Sequence, residues 1–295
     1  MKNYLENFFC KFDYPKEAAD VLTDAYEKIV DSPLANTKFT ALLSEYSKSY
    51  DMDYKLALSE MNSVSESVGI HPYTGALLLF ICFSKQLERY YKAAGLDDDI
   101  FTASVKDLKY KLFECKCVHG VWGSFVSHWF KGFFNMTRFG LGKLQFEIID
   151  FKAEYEKDGV KLTPDSKVIN VHIPRTGGRL DEESRKEAYD MAASFFAPQL
   201  GDGPVVFVCH SWFLFPKHTE ILKPTSNLMA FISDYDTFVS GYYETYTELY
   251  HVFDVMYTGD ISKLPADTSL RRAYIKMLEN GERTGWGRGV YVYKK

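Results

Sequence analysis

Three short stretches of this 295-residue chain bring together side chains able to do chemistry. The first runs from His172 through Pro174, Arg175, Thr176, Gly177, Gly178 and Arg179. Two adjacent glycines between a predicted strand and a predicted helix let backbone N–H groups approach a ligand closely. The helix N-terminus adds partial positive charge, which favours a phosphate there. Arg175 and Arg179 supply donors suited to a pyrophosphate. No Gly-Lys-Ser/Thr follows, so this is not a nucleotide P-loop, and the spaced glycines of a dinucleotide fingerprint are missing. A plain turn is the simpler reading of a double glycine. Asp181 and Glu182 are compatible with an anion only as helix caps.

The second stretch is Val208-Cys209-His210-Ser211-Trp212, at the end of a predicted strand. In open α/β sheets ligands gather at the carboxyl ends of parallel strands. Strand side chains alternate, so Cys209 and Ser211 face one side and His210 the other. Neighbours so placed make a poor nucleophile–base pair. His210 is therefore an orienting or acid–base candidate, or simply a hydrogen-bonded histidine at a strand end. The third stretch joins Glu147 to His172. If their strands pair, a carboxylate and an imidazole face one cleft, and imidazole suits deprotonating an ammonium or hydroxyl near neutrality. A surface or salt-bridged strand carboxylate is the plainer role for Glu147. Cys115, Cys117 and His119 are spaced too tightly for a structural zinc loop and lack a second ligand pair, so no metal is expected.

Elements must hold these groups in place. From Pro15 to about Cys117 apolar residues recur three and four apart, which predicts helices. Pro72 opens one that stops at Gly95, and Asp97–Asp99 cap the next. A further helix is expected over Gly120 to Phe134. After Asn135 the period changes to that of strands, with Asp158-Gly159 as a hairpin turn. A strand at Lys167–Ile173, a helix from about Asp181 to Leu200 and a strand ending in Cys209-His210-Ser211 make a strand–helix–strand unit. That unit implies a parallel pair with a right-handed crossover. Hairpins precede it, so the sheet should be mixed. A short helix at Phe215 to Leu222, a strand near His251 to Tyr257, a helix from Leu264 to Asn280 and a last strand complete the pattern. The fold class is α+β. A helical N-terminal domain (1–117) should be followed by a mixed sheet flanked by helices (118–295).

Composition bounds the function. Hydrophobic residues make up 46%, charged residues 25% and aromatic residues 16%, which describes a globular chain with a ring-rich core. The net charge of −5, with Lys and Arg scattered among Asp and Glu, argues against a nucleic-acid partner. Five irregularly spaced cysteines are no disulfide framework. The N-terminus lacks the pattern of a secretory signal. The longest apolar run, Gly75 to Phe83, is too short to span a bilayer and predicts a buried helix. The expected setting is the cytoplasm, with no membrane partner.

Taken in order, RFGLGKLQFE, VHIPRTGGRL, an acidic-start helix ending in SFF, FVCHSWFLFP and KPTSNLMAF resemble a family of bacterial acyltransferase-domain proteins. These join a helical N-acyltransferase-type N-terminal domain to a GNAT-like C-terminal domain. The resemblance covers most of the chain from about Val118. It implies that acyl-CoA is the co-substrate and that its pantetheine lies between Val168–Ile173 and Val205–His210. Its pyrophosphate would sit on Arg175, Thr176, Gly177, Gly178 and Arg179. The glycine pair is more compressed than in the usual GNAT loop. Backbone N–H groups from Asn170 to Ile173 would polarise the thioester carbonyl. His172, or Glu147 through a water, would deprotonate an amine on a small-molecule acceptor. His210 or Ser211 would orient that acceptor or protonate the leaving thiolate. The alternative is a non-catalytic acyl-CoA or nucleotide sensor on the same scaffold. A hydrolase using Cys209 or Ser211 is a third reading. Acyl length, acceptor identity and oligomeric state are left open.

Overall fold

The computed structural model describes residues 1–175, 180–201 and 203–294, and they form two compact units, Met1–Gly140 and Leu141–Lys295. The first unit is helical. Its elements are α1 (Lys2–Lys11), α2 (Lys16–Asp31), α3 (Pro33–Lys48), α4 (Tyr54–Ser67), α5 (Pro72–Ala93), α6 (Asp98–His119) and the single turn α7 (Lys131–Phe134). Helix α5 starts where the sequence says it should. Pro72 takes the first helical position, and the His71 ring accepts a hydrogen bond from Tyr73 N–H at 3.1 Å. Every residue from Thr74 to Ser84 is buried, so this helix is wrapped on all sides, with α1, α2, α3, α4 and α6 packed on it. No described helix is long and apolar enough to cross a membrane.

The helix expected over Gly120 to Phe134 does not form. Its first half is spent on the start of α5. Thr74 Oγ1 donates to the Trp122 carbonyl at 2.9 Å, and Ser124 N–H donates to the Tyr73 carbonyl at 2.9 Å. Gly123 lies so close to the Tyr73 and Thr74 backbone that a Cβ would clash. Only a 3-10 turn at Ser127–Phe130 and α7 remain helical. Phe130 and Phe134 then pack on Phe80, with ring centroids 5.1 and 4.8 Å apart, and Tyr46 donates its hydroxyl to the Phe134 carbonyl at 2.9 Å. The aromatic segment is thus part of the helical core. The units accordingly divide at Gly140, beyond the division drawn from the sequence at 117/118.

The second unit supplies the strands β2 (Leu144–Asp150), β3 (Tyr155–Lys157), β4 (Val160–Leu162), β5 (Lys167–His172), β6 (Val206–Ser211), β7 (Asp236–Tyr242) and β8 (Gly285–Val292). The unit boundary falls inside the strand before them, β1 (Arg138–Leu141). The six-stranded sheet has the order β1, β2, β5, β6, β8, β7, and β3 with β4 forms a separate hairpin. Asp158 and Gly159 turn that hairpin, both at positive φ, as Asp-Gly turns require. Strands β5 and β6 run parallel, and the other pairs in this unit are antiparallel, so the sheet is mixed. Helix α8 (Glu182–Leu200) crosses between the parallel strands. Asp181 caps it, accepting from Ser184 N–H at 2.9 Å, and Gly201 ends it.

The two faces of this sheet are packed differently. Helix α8 lies on the face of Phe146 and Phe207, with Tyr189 6.3 and 4.9 Å from those rings. On the other face Val168, Val206, Val208 and Val290 bury themselves with Phe151 and Leu162. Each such side chain contributes about 1.5–3 kcal/mol.

Between β6 and β8 come α9 (His218–Ile221), α10 (Asn227–Ser233), β7, α11 (Tyr250–Phe253) and α12 (Ser269–Glu279). The strand expected near His251 to Tyr257 is instead the short helix α11. Leu249, Val252 and Phe253 have helical spacing and bury against Tyr274 and Leu278 of α12. Strand β7, in the aromatic segment left without an element by the sequence, pairs with β8.

Candidate active site at the open end of the parallel strands

The β5–β6 register holds only Ile169 opposite Phe207 and Asn170 opposite Val208. Both strands run on, β5 to His172 against β2 and β6 to Ser211 against β8. Past Asn170 and Val208 the pair therefore separates into a wedge. Among the described residues the two strands register no further pairing across the gap, so their facing edges there must be satisfied by other groups. The wedge lies at the carboxyl ends of the parallel strands, where open sheets gather ligands.

One sheet face lines the mouth of this wedge. Gln145 is directly opposite His172, and Glu147 is opposite Asn170. Directly opposed residues share a face, so Glu147, Asn170 and His172 stand together. His172 Nε2 is 2.7 Å from Glu147 Oε1, and Asn170 Nδ2 donates to the same oxygen at 3.3 Å. The two side chains are 19% and 15% exposed, so the pair is sheltered yet reachable. Alternation along β2 and β5 is what permits the arrangement, and the pair joins residues 25 apart in the chain. A carboxylate beside an imidazole stabilises the imidazolium that forms when the ring takes up a proton. The pair can accept one proton and hold it.

His210 follows Val208 on that same face, because Asn170 is opposite Val208 and residues two apart share a side. Its ring lies edge-on to Trp286, with centroids 4.6 Å apart. Desolvation, and after it the Arg288 guanidinium, push its pKa below the ordinary histidine value. His210 is thus mainly neutral at pH 7.

Ser211 points to the opposite face, and its Oγ accepts from Phe213 N–H at 3.1 Å, capping the turn Trp212–Leu214. It is not brought to the His172–Glu147 pair. Cys209 shares the Ser211 face and is buried. Burial pushes its thiol up to about 12, so the nucleophilic thiolate is absent near neutral pH. A hydrolase built on Cys209 has no support.

Ile173 follows β5 directly and is half-buried. Arg175 pairs with Asp254, a partner that sequence reasoning missed because nothing local links them. Thr176, Gly177, Gly178 and Arg179 lie outside the described residues. The side chain of Asn170 was also missed as an organiser of the pair, although its spacing from His172 was a usable signal. Cys115 is buried and Cys117 exposed. Among the described residues no three His, Cys, Asp or Glu side chains are placed to hold a metal ion.

The sequence matches two domain families end to end. The GNAT-like C-terminal domain matches residues 139–291, and the N-acyltransferase N-terminal domain matches residues 3–136. No curated protein matches the chain. Solved structures share the fold at low identity. An acyltransferase in complex with decanoyl-CoA and teicoplanin superposes with a TM-score of 0.75 at 19% identity, over 98% of this chain and 87% of that one. An acyltransferase mutant in complex with octanoyl-CoA gives 0.76 at 19% identity, with the same coverage. One in complex with CoA and 10C-teicoplanin gives 0.64 at 19% identity, over 98% and 99% of the two chains.

Proposed function

Since the chain belongs to the family that joins an N-acyltransferase N-terminal domain to a GNAT-like C-terminal domain, we propose that it transfers an acyl group from acyl-CoA to an amine of a small-molecule acceptor. The observation that carries this reading is the wedge between β5 and β6, with the His172–Glu147 pair at its mouth. Pantetheine is an extended amide chain. It fits between two strand edges that no longer pair with each other. The acyl-CoA complexes of the structural neighbours support the donor, and the teicoplanin complex supports a small-molecule acceptor.

The reaction is a direct attack. The acceptor nitrogen forms a bond to the thioester carbonyl carbon, and the carbonyl oxygen takes up negative charge. Backbone N–H groups from Asn170 to Ile173 stabilise that charge. The His172–Glu147 pair takes the proton from the amine, which an ammonium must lose before its lone pair can attack. The C–S bond then breaks, the extra proton left on the attacking nitrogen passes to the thiolate of CoA, and an amide and free CoA result. His210, mainly neutral at pH 7, donates a hydrogen bond to acceptor or leaving sulfur and is poorly suited to supply a proton. Ser211 keeps its role as a cap. Arg175, with the Thr176-Gly177-Gly178-Arg179 segment, holds the pyrophosphate.

The test is calorimetric titration with CoA and acetyl-CoA, on the intact chain and on a Gly177→Asp, Gly178→Asp variant. Binding that is lost in the variant supports the pyrophosphate loop. No binding up to about a millimolar (about −4 kcal/mol) in the intact chain removes the reading. Binding without product across an amine panel favours a sensor instead.

A further inference from the structure

Arg175 is the last described residue before the glycine pair, and it does not stand alone. Its guanidinium pairs with Asp254 Oδ1. The other oxygen, Asp254 Oδ2, accepts from Arg271 at 2.5 Å. Arg271 is itself fully committed. Its Nε donates to the Val252 carbonyl at 2.9 Å, and its second terminal nitrogen donates to Asp267 Oδ1 at 2.8 Å. The chain Asp267–Arg271–Asp254–Arg175 therefore ties together the first turn of α12, the end of α11 and the start of the β5–α8 loop. Two positive and two negative groups make it neutral.

We propose that Asp254, held by Arg271, is a positioning residue that presents the Arg175 guanidinium to the pyrophosphate of the donor. Three observations carry this. Side-chain exposure is 39% at Arg175, 26% at Asp254, 14% at Arg271 and 66% at Asp267, so the sheltered middle of the chain is Arg271 with Asp254, and Arg175 stands at one open end. Asp254 closes α11 in the left-handed region, φ 64, a conformation that aspartate tolerates and that ends the helix at this carboxylate. Arg271 fixes one carboxylate oxygen and leaves the other for Arg175. A long, rotamer-rich side chain next to a glycine pair loses much freedom when a ligand arrives, and a carboxylate partner reduces that cost in advance. The inference rests on the acyl-CoA reading above and names a residue outside it.

Asp254→Asn is the informative variant. Asparagine also accepts left-handed backbone, and its amide oxygen still accepts from Arg271, so the brace to α12 keeps a hydrogen bond while the charged anchor for Arg175 is lost. Steady-state kinetics with acetyl-CoA and with S-acetylpantetheine, which lacks the pyrophosphate, read the effect. The KM for acetyl-CoA should rise about tenfold, the scale of one charge-assisted hydrogen bond, with kcat little changed. The KM for S-acetylpantetheine should stay as in the parent. Arg175→Ala should behave alike, and the double variant should be no worse than Arg175→Ala. Equal losses on both donors in Asp254→Asn, no loss on either, or additive losses in the double variant would each overturn the proposal. A parent protein that turns over S-acetylpantetheine as well as acetyl-CoA would overturn it too, while leaving acyl transfer standing. A parent that binds neither CoA nor acetyl-CoA takes both readings down together.

Discussion

His172 and His218 are both histidines held by hydrogen bonds in the second unit, and their surroundings give them opposite characters. His218 is fully buried. Its Nδ1–H donates to the Phe213 carbonyl at 3.0 Å, and its Nε2 accepts from the Tyr274 hydroxyl at 2.7 Å. A carbonyl can only accept, so Nδ1 carries a proton. Burial then lowers the pKa to about 4. His172 instead meets a carboxylate, which welcomes a charged ring, at a site that solvent can reach. The lesson is that burial without a charged partner keeps a histidine neutral, as a structural bolt, whereas a carboxylate beside a reachable ring favours its protonated form.

The two sites should respond to substitution in opposite ways. The largest effect is expected on rate. His172→Ala should lower turnover about 10²–10⁴-fold, the usual contribution of a general base, with a small change in thermal midpoint. Saturating single-turnover kinetics measure this, and unchanged turnover in a His172→Ala, Glu147→Ala double variant would remove the base assignment. His218→Ala should do the reverse. It leaves a cavity and an unsatisfied Tyr274 hydroxyl, and costs about 2–4 kcal/mol in urea unfolding, with near-parental activity in the folded fraction.

The histidines should also separate by pH. Between pH 6.5 and about 4 the unfolded chain binds a proton at His218 that the folded chain refuses. Stability therefore falls as pH drops through that window, by about 3 kcal/mol at its lower end, and is unaffected by this group above it. Urea midpoints across that range should fall less steeply in His218→Gln, and parallel curves would contradict the assignment. The smallest effect concerns thiols. A maleimide at pH 7 should label exposed Cys10 and Cys117 and spare buried Cys209, with acyl transfer retained. Loss of activity through Cys209 labelling would revive a thiol mechanism.

Local signals carried much of the fold. The Asp158-Gly159 turn, the Asp181 cap and the alternation of Cys209, His210 and Ser211 depend on neighbours in sequence, and each was legible. The parallel pair followed from a strand, a helix and a strand of fitting length. Elements decided by distant partners were not legible. The segment over Gly120 to Phe134 looks helical until the start of α5 claims its backbone groups. Strand β7 needs β8, which lies some forty residues further on. The site divides in the same way. Glu147 and His172 could be matched on the condition that their strands pair, because period-two alternation then puts them on one face. The bracing of Arg175 by Asp254 and Arg271 joins three elements with no shared pattern.

The early end of the β5–β6 register makes the middle of the sheet behave as two borders. A sheet usually guards its outer rims, because bare backbone there recruits stray strands. Here two edges that have stopped pairing with each other lie inside, in a wedge whose closed end denies entry to a full strand. Only a slender chain with its own amides can complete the ladder. A bound pantetheine would thus serve as a short surrogate strand, and slower hydrogen exchange at Val171 and Ile173 on adding CoA would record the sheet becoming whole.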